Sequence, residues 1–546
     1  MDELLASNLS IQTESPSWLR ELRALARSEA IAESEKFDDW CLKFGVRTEI
    51  QNRAATEQAV LARYWVVGGH QPELFHPGVW FKNFLLSGLS QKLSRNGNSC
   101  QALHVIIDHD LAKADAIKTL FEKDGKRILR NSVLPFRSAD HPPLPWQSTY
   151  LDPSMLSKWI DVKTVVEQDC VSQGWEPLLS QHFSILEKCI LNSVSVSDAF
   201  TLFRRSIELA CGIENREVRM SQLCEGFAFG EFFFRCLSAS TKLVDAYNQS
   251  RNEFRQRRKI RNAAQPVPEL QFEAGWQEMP FWVYRSRRPN SKVEQDNYRS
   301  KLWFSQSKQG RFIANSPTHG ASLLLRVPDS IDFVENKSSI HDIWKEWNRQ
   351  GICIRPRALM TTFFLRYVLS DLFVHGVGGG LYDSVTDEIA VRLWGLTPPK
   401  MIVASATLHL PVVEPVAAAE VDEGKLRKHL RWLRSSPERF LDVSSPSAKN
   451  LLEQHQSLVA NIPDGQGKAD WHRQMASLRS RIHDSIRTES VRIESASNQL
   501  IQQRQQKSLA ASREYSFAVF SESDITSRLN KVVSKAIGTT SDAVGK

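Results

Sequence analysis

Residues Gly68–Trp80 read GGHQPELFHPGVW and follow the apolar run Trp65–Val67. A strand, a glycine turn, two histidines, a glutamine and then a helical run is how nucleotide-handling α/β sheets build their first site. Glycines such as Gly69 and Gly78 let backbone come close to a ligand. A helix start offers free N–H groups and a positive dipole end to phosphate or carboxylate. His70, Gln71 and His76 add side chains that can hydrogen-bond an anion. The competing reading is a strand-to-helix turn whose histidines cap and pack.

A second cluster, DHDLAKAD (Asp108–Asp115), follows the apolar run Leu103–Ile107. Three ionisable residues in a row at a strand end are hard to explain by packing, although helix capping is an alternative. Ligands of open α/β sheets bind outside the carboxyl ends of the strands. The loop of His70 and Gln71 and the loop of Asp108, His109 and Asp110 are therefore expected to share one rim. His109 is the best candidate for proton transfer, since an unperturbed imidazole titrates near neutrality. Asp108 and Asp110 suit an ammonium group or sugar hydroxyls.

A third segment, HGVGGG (His375–Gly380), is a glycine-rich loop. It has neither the lysine of a P-loop nor GxGxxG spacing. Gly378, Gly379 and Gly380 would bring backbone to a ligand, or simply form a tight turn. Arg355 and Arg357, just upstream, are anion clamps or surface arginines flanking Pro356.

These residues need elements to hold them. A strand at Tyr64–Val67, a helix at Phe81–Leu93 and a strand at Leu103–Ile107 make a βαβ unit, which is right-handed almost without exception. A helix precedes it over Trp18–Phe44. Residues 136–340 read as an insertion. It opens on a proline-rich loop (Phe136–Trp146), continues through helices within 178–211 and Glu231–Arg261, and turns to loops and strands beyond Ala264. The basic run Arg251–Arg261 reads as a solvated helix face. Within Arg355–Gly395 the pattern predicts helix over Thr362–Leu372, a brief strand at Leu372–Val374, the glycine loop and a helix over Tyr382–Trp394. Helices follow at Gly424–Leu433 and Ala448–Ala460, then a turn at Ile462–Gly467. One long helix is predicted over Ala469–Ser512. Its apolar positions keep near-heptad spacing with a four-residue step at Ile486. The antiparallel hairpin so formed cannot bury both faces alone, so a second copy is the expected partner. Arg513–Ser523 reads as a strand returning to the core, and the tail from Gly538 as loose. The expected domains are 1–60 (helical), 61–135 and 341–412 (halves of the core), 136–340 (insertion), 413–512 (coiled coil) and 513–546 (returning strand and tail).

At 546 residues, 41% hydrophobic and 24% charged, the chain fits a globular protein of several units. A net charge of +8 permits an anionic ligand without demanding one. No basic run is interleaved with aromatics as in a nucleic-acid groove. No window resembles a signal peptide or a membrane span. Eight scattered cysteines without a CxxC pair argue against a zinc ribbon or a disulfide scaffold. A reducing cytoplasm is the expected compartment.

Three blocks together resemble the bacillithiol-synthesis cysteine-adding enzyme family (BshC). They are Gly69, His70 and Gln71 with Leu74, Phe75 and Gly78; Ile107, Asp108, His109 and Asp110; and Gly376–Gly380 ahead of a coiled coil. The similarity spans about residues 60 to 530. It implies a Rossmann-like core of the HUP/nucleotidyl-transferase type, akin to class I aminoacyl-tRNA synthetases, with connecting-peptide insertions and a helical coiled coil for homodimerisation. It implies joining cysteine to the amine of glucosaminyl-malate, with a site for ATP or ADP. On that reading His109 and His70 are catalytic. Gly69, Gln71, His76, Gly78, Asp108, Asp110, Arg355, Arg357 and Gly378–Gly380 bind substrate or nucleotide, and no metal is predicted. The chain departs from the family at His70, where members carry glutamine, and at Ile107, where they carry an acid. No HxGH motif or KMSKS lysine loop is present, and Lys400 in PPKMIVAS is the nearest to the latter. Two alternatives stand beside the ligase. One is a non-catalytic dimeric relative. The other is a metal-dependent hydrolase using Asp108, His109, Asp110 and His70.

Overall fold

A computed structural model describes residues 2–47, 63–97, 99–113, 116–124, 126–136, 142–292, 294–318, 320–328, 337–412 and 422–538. Two compact units emerge. The larger holds residues 1–121, 129–408 and 513–546, and the smaller holds 122–128 and 409–512. Expectations for the tail beyond Gly538, for Asp115 and for residues 137–141 of the proline-rich loop lie outside the described residues.

The strands in chain order are β1 (Tyr64–His70), β2 (Cys100–Ile106), β3 (Ala116–Lys123), β4 (Lys126–Val133), β5 (Arg216–Arg219), β6 (Phe272–Glu273), β7 (Trp276–Arg285), β8 (Ser300–Ser307), β9 (Gly310–Ala314), β10 (Leu324–Val327), β11 (Ile352–Pro356), β12 (Leu372–His375) and β13 (Met401–Val403). Five of them form an all-parallel sheet in the order β13-β12-β1-β2-β5. Numbered by appearance within that sheet the order is 3-2-1-4-5, so the fold is α/β and compatible with a Rossmann-like core. A second, antiparallel sheet runs β10-β9-β8-β7-β11, with β6 paired to β7.

The central strand is apolar because both its faces are covered. Trp65 and Val67 share a core with Leu19, Leu22 and Ala26 of the helix Ser17–Lys43. On the other face the helix Pro77–Arg95 brings Leu86 against Gly68, where a Cβ would lie 3.2 Å from a Leu86 methyl.

Several expectations change. The glycines Gly68 and Gly69 and His70 are part of β1, not of a turn. A Cβ on Gly69 would stand 2.7 Å from the Val105 carbonyl of β2, so glycine serves the close approach of strands. Gly378–Gly380 lie inside a short helix, Val377–Tyr382, not in an open loop. The insertion supplies β5 to the parallel sheet, whereas β11, assigned to the second half of the core, belongs to the antiparallel one. Arg251 is buried and donates to the carbonyls of Val267 and Ala263, so it is not on a solvated face. Residues 513–521 return to the core of the larger unit as irregular chain with a 3-10 turn at Phe517–Val519, and 522–523 open the helix Glu522–Ile537, so the expected strand is absent there. There Phe517 packs on Trp80 and Phe75 and donates its N–H to the Phe75 carbonyl.

In the smaller unit the long helix breaks at Ile486 into Lys468–Ser485 and Arg487–Ala510, at the four-residue step in the apolar repeat. Leu478, Ile482, Ile486 and Ile493 are buried against Leu426, Leu433 and Leu451 of the same unit. The heptad seam is thus satisfied within the chain. Among the described residues no helix is long and apolar enough to cross a membrane.

Candidate active site at the carboxyl edge of the parallel sheet

The loops after β1 and β2 do meet at one rim. Gln71 donates to the Asp110 carboxylate at 2.9 Å, and Ile107 N–H donates to the His70 carbonyl at 2.9 Å. Asp110 also receives Arg299 at 2.9 Å from the antiparallel sheet side. Burial alone would raise the Asp110 carboxyl, but His109, Gln71 and Arg299 outweigh it and hold it below the usual value.

Asp108 is fully buried and accepts from both the N–H of Ser221 (2.9 Å) and its hydroxyl (2.5 Å). Burial pushes its carboxyl up to about 6, against the opposing pull of Ser221, Arg355 and Arg219. His109 is also buried, and its Nε2–H donates to the Pro356 carbonyl at 3.1 Å. A carbonyl can only accept, so this bond sets the tautomer and leaves Nδ1 as a lone pair. Nδ1 is buried without a partner among the described residues. Burial brings His109 down to about 4, with Asp110 opposing and Arg355 and Arg299 assisting, so the ring is neutral at pH 7.

The antiparallel sheet supplies cations. Arg355 of β11 is buried, reaches Glu225 at 3.2 Å and keeps an unpartnered Nε. Arg357 pairs with the buried Glu278. Both Arg357 and Arg299 lie over the Trp282 ring, at 4.6 and 4.2 Å from its centroid. Burial alone lowers a guanidinium, yet Cys353, Tyr284, Cys224 and Glu225 more than offset it and raise Arg355 further.

Other sequence candidates are engaged in packing. His70 has Nδ1 2.9 Å from the Gln71 carbonyl and Nε2 3.1 Å from Asn83 Oδ1, with Phe75 and His104 against its ring. Desolvation, with His104, Lys82 and Arg204 nearby, keeps it neutral well below pH 6.5. His76 caps the helix, its Nδ1 accepting from Gly78 N–H at 3.1 Å. Val79 N–H is taken by the His76 carbonyl at 3.0 Å, and the Ala406 carbonyl stands 2.2 Å from where a Gly78 Cβ would be. That helix start is capped and covered, so it does not fit a nucleotide phosphate. A Cβ on Gly379 would meet the His375 ring and one on Gly380 the Val403 side chain, while Gly378 has no neighbour within 4 Å.

A cavity of about 360 Å³ opens beside the rim, at the ends of β2 and β5. Its wall carries Asp108, Asp198 and Glu225 as acids, Lys36 and Arg219 as bases, and the Gln147 amide. Gln147 donates to the Tyr284 hydroxyl at 3.1 Å, while its carbonyl oxygen is buried without a partner among the described residues. Of the residues singled out in the sequence only Asp108 lines this cavity. Arg219 and Ser221 were missed because β5, REVR, has no apolar run to announce a strand. Arg299 sits 189 positions from Asp110 with no local signal at all.

The four residues whose types suit a metal do not converge: Asp108 faces Ser221, His109 faces Pro356, His70 faces Asn83 and Asp110 faces Arg299. Among the described residues no group of three or more histidine, cysteine, aspartate or glutamate side chains is placed to hold a metal ion. The eight cysteines are free thiols. No family model matches the chain. No curated protein is significantly similar to it either.

Proposed function

We propose that the chain is an amide-forming ligase of the BshC type. It would join cysteine to the amine of an amino-sugar such as glucosaminyl-malate, in the cytoplasm. One observation carries the reading: a polar cavity of small-molecule size at the carboxyl edge of a 3-2-1-4-5 sheet, walled by both acids and bases, with Asp108 in its wall and His109 next in the chain. Acids and bases together suit a zwitterion or an amino-sugar acid better than a simple anion. His109 keeps Nδ1 as a lone pair that would take the proton of the attacking amine, but at about 4 it is a weak base and it is not among the residues lining the cavity. Arg355 and Arg299 are suited to hold carboxylate or developing oxyanion charge. A free carboxylate does not condense with an amine unaided, so ATP as co-substrate would activate the cysteine carboxylate and leave as ADP and phosphate or as AMP and pyrophosphate; the closed helix start after β1 does not fit its phosphates. The sheet order supports the HUP-type core. A homodimer through the smaller unit would have to use residues outside the internally buried seam, such as the exposed Val459, Ile462, Val491 and Ile501.

The test is incubation of purified protein with cysteine, glucosaminyl-malate and ATP. Mass spectrometry reads a cysteinyl amide, and chromatography reads ATP conversion. Product from the wild-type chain, lost on His109→Gln, is expected. The absence of product would remove the ligase reading. The closed helix start and the burial of His70 favour a second reading, a binding-only relative. It gains if cysteine or the amino-sugar binds by calorimetry and no product forms.

A further inference from the structure

Lys82 is a buried cation that was not singled out in the sequence. It lies on the helix Pro77–Arg95, is 7% exposed, and its ammonium donates to the Gly69 carbonyl at 3.2 Å. Among the described residues it forms no ion pair. The other buried cations of this unit are treated differently. Arg204 has Glu208 and Glu217, Arg23 has Asp371, Arg357 has Glu278, and Arg366 has Asp383. A buried charge without a counter-ion is costly, so this lysine calls for an explanation beyond packing.

Its position supplies one. Gly69 is at the carboxyl end of β1, and the ammonium lies 3.8 Å from where a Cβ on Gly376 would be, just after β12. In the 3-2-1-4-5 order β1 and β12 flank the point where the strand order reverses, and that crevice is where open α/β sheets bind ligands. On the far side a Cβ on Gly376 would meet only Lys82 within 4 Å and one on Gly378 would meet nothing, while the His375 ring covers Gly379. His375, at the end of β12, is half-buried, and among the described residues its ring nitrogens have no hydrogen-bond partner. Burial, together with Lys82 and Arg366, brings it to about 4. A neutral imidazole can donate one N–H to an anion without adding charge.

We propose that Lys82 and His375, on the two sides of this switch point, form a subsite for a carboxylate or phosphoryl group of a small ligand. The anion supplies the counter-ion that the protein withholds. The subsite is separate from the cavity beside Asp108 and does not depend on the identity of the reaction.

The charged and titratable groups around Lys82 are His70 and His104 on β1 and β2, His76 at the start of its own helix, Arg204 behind them, and His375 on β12. All four histidines are held below 6.5 by burial and are neutral at pH 8. Burial alone brings Lys82 down to about 8. An anion stabilises the ammonium, so binding at pH 8 takes up a proton and weakens as pH rises beyond 8.

The test is calorimetry of the full-length chain with inorganic phosphate, L-malate and ADP as separate probes, at pH 8 in two buffers of different ionisation enthalpy. At least one probe is expected to bind with proton uptake. Affinity should fall tenfold or more in Lys82→Met and be kept in Lys82→Arg, with unchanged melting temperature. Phosphate alone points to a phosphoryl source, malate alone to a carboxylate. If Lys82→Met does not fold, acetylation of Lys82 by acetic anhydride in the wild-type chain, read by mass spectrometry, should be slowed by the bound probe. No binding of any probe, equal binding by Lys82→Met, or unaltered Lys82 acetylation overturns the proposal. Failure to form an amide product while Lys82-dependent binding persists sinks the ligase reading and leaves this one intact.

Discussion

Replacing Asp108 by asparagine should make the protein more stable, and more so at high pH. The side chain is fully buried, and both its oxygens accept from Ser221. Asparagine keeps both contacts, since its oxygen accepts the Ser221 N–H and its amide can donate to the Ser221 hydroxyl. What disappears is the charge. Burial raises the folded-state carboxyl from 3.8 to about 6. Between these values the native state binds a proton that the unfolded state has lost, so stability falls as pH rises through this window. Below about pH 4 both states are protonated and the cost vanishes; above about pH 6 it is complete. Two pH units at about 1.4 kcal/mol each amount to about 3 kcal/mol at pH 8. At pH 5, where the native carboxyl is mostly protonated, the same linkage leaves about 1.6 kcal/mol. Urea unfolding of wild type and Asp108→Asn at pH 5 and pH 8 measures this directly. The variant should gain at both, with a gap wider by about 1.4 kcal/mol at pH 8. A gap independent of pH, or a less stable variant at pH 8, would refute the argument. A carboxylate kept at such a cost beside a cavity is what a stability–activity trade-off looks like, so the same variant should lose ligand binding there.

Arg204→Met strands the buried Glu208 and Glu217 without their shared cation, and the urea midpoint should report a loss of about 3–5 kcal/mol; an unchanged midpoint would show that other groups neutralise them. Gly78→Ala places a methyl against the Ala406 carbonyl and should cost about 1–3 kcal/mol as overpacking. Gly378→Ala, with open space around it, should be neutral or gain up to about 1 kcal/mol from helix propensity; thermal melting in the reverse order would contradict the packing seen at these two glycines. Ile482→Ala removes a fully buried side chain from the smaller unit and should cost about 2–5 kcal/mol. Hydrogen exchange should quicken in residues 423–510, and protection that stays as in wild type there would mean that Ile482 does not anchor that core.

Local pattern determined much of this protein. Strands β1 and β2 and the helix between them are legible because buried parallel strands are short apolar runs and their crossover helix carries an apolar stripe. The rim of Gln71 and Asp108–Asp110 is legible because sheet topology places consecutive strand ends side by side. The break at Ile486 is legible as a slip in the apolar repeat. What the side chains do at these positions was settled by neighbours far along the chain. Gly69 and Gly78 read as ligand-facing until the Val105 and Ala406 carbonyls filled the space a Cβ would need. His70 reads as a reactive imidazole, yet its ring is buried against Phe75 and His104, and its single N–H faces either the Gln71 carbonyl or Asn83. The strand β5 has no apolar run because only Val218 of REVR enters the hydrophobic core, while Glu217 closes the buried ion network with Arg204. Arg299 and Arg355 reach the rim from a second sheet, and Lys82 faces β12 almost 300 residues away in sequence. Element type follows from the residues of one segment, whereas solvent access, counter-ions and tautomers follow from whatever the rest of the chain packs against it.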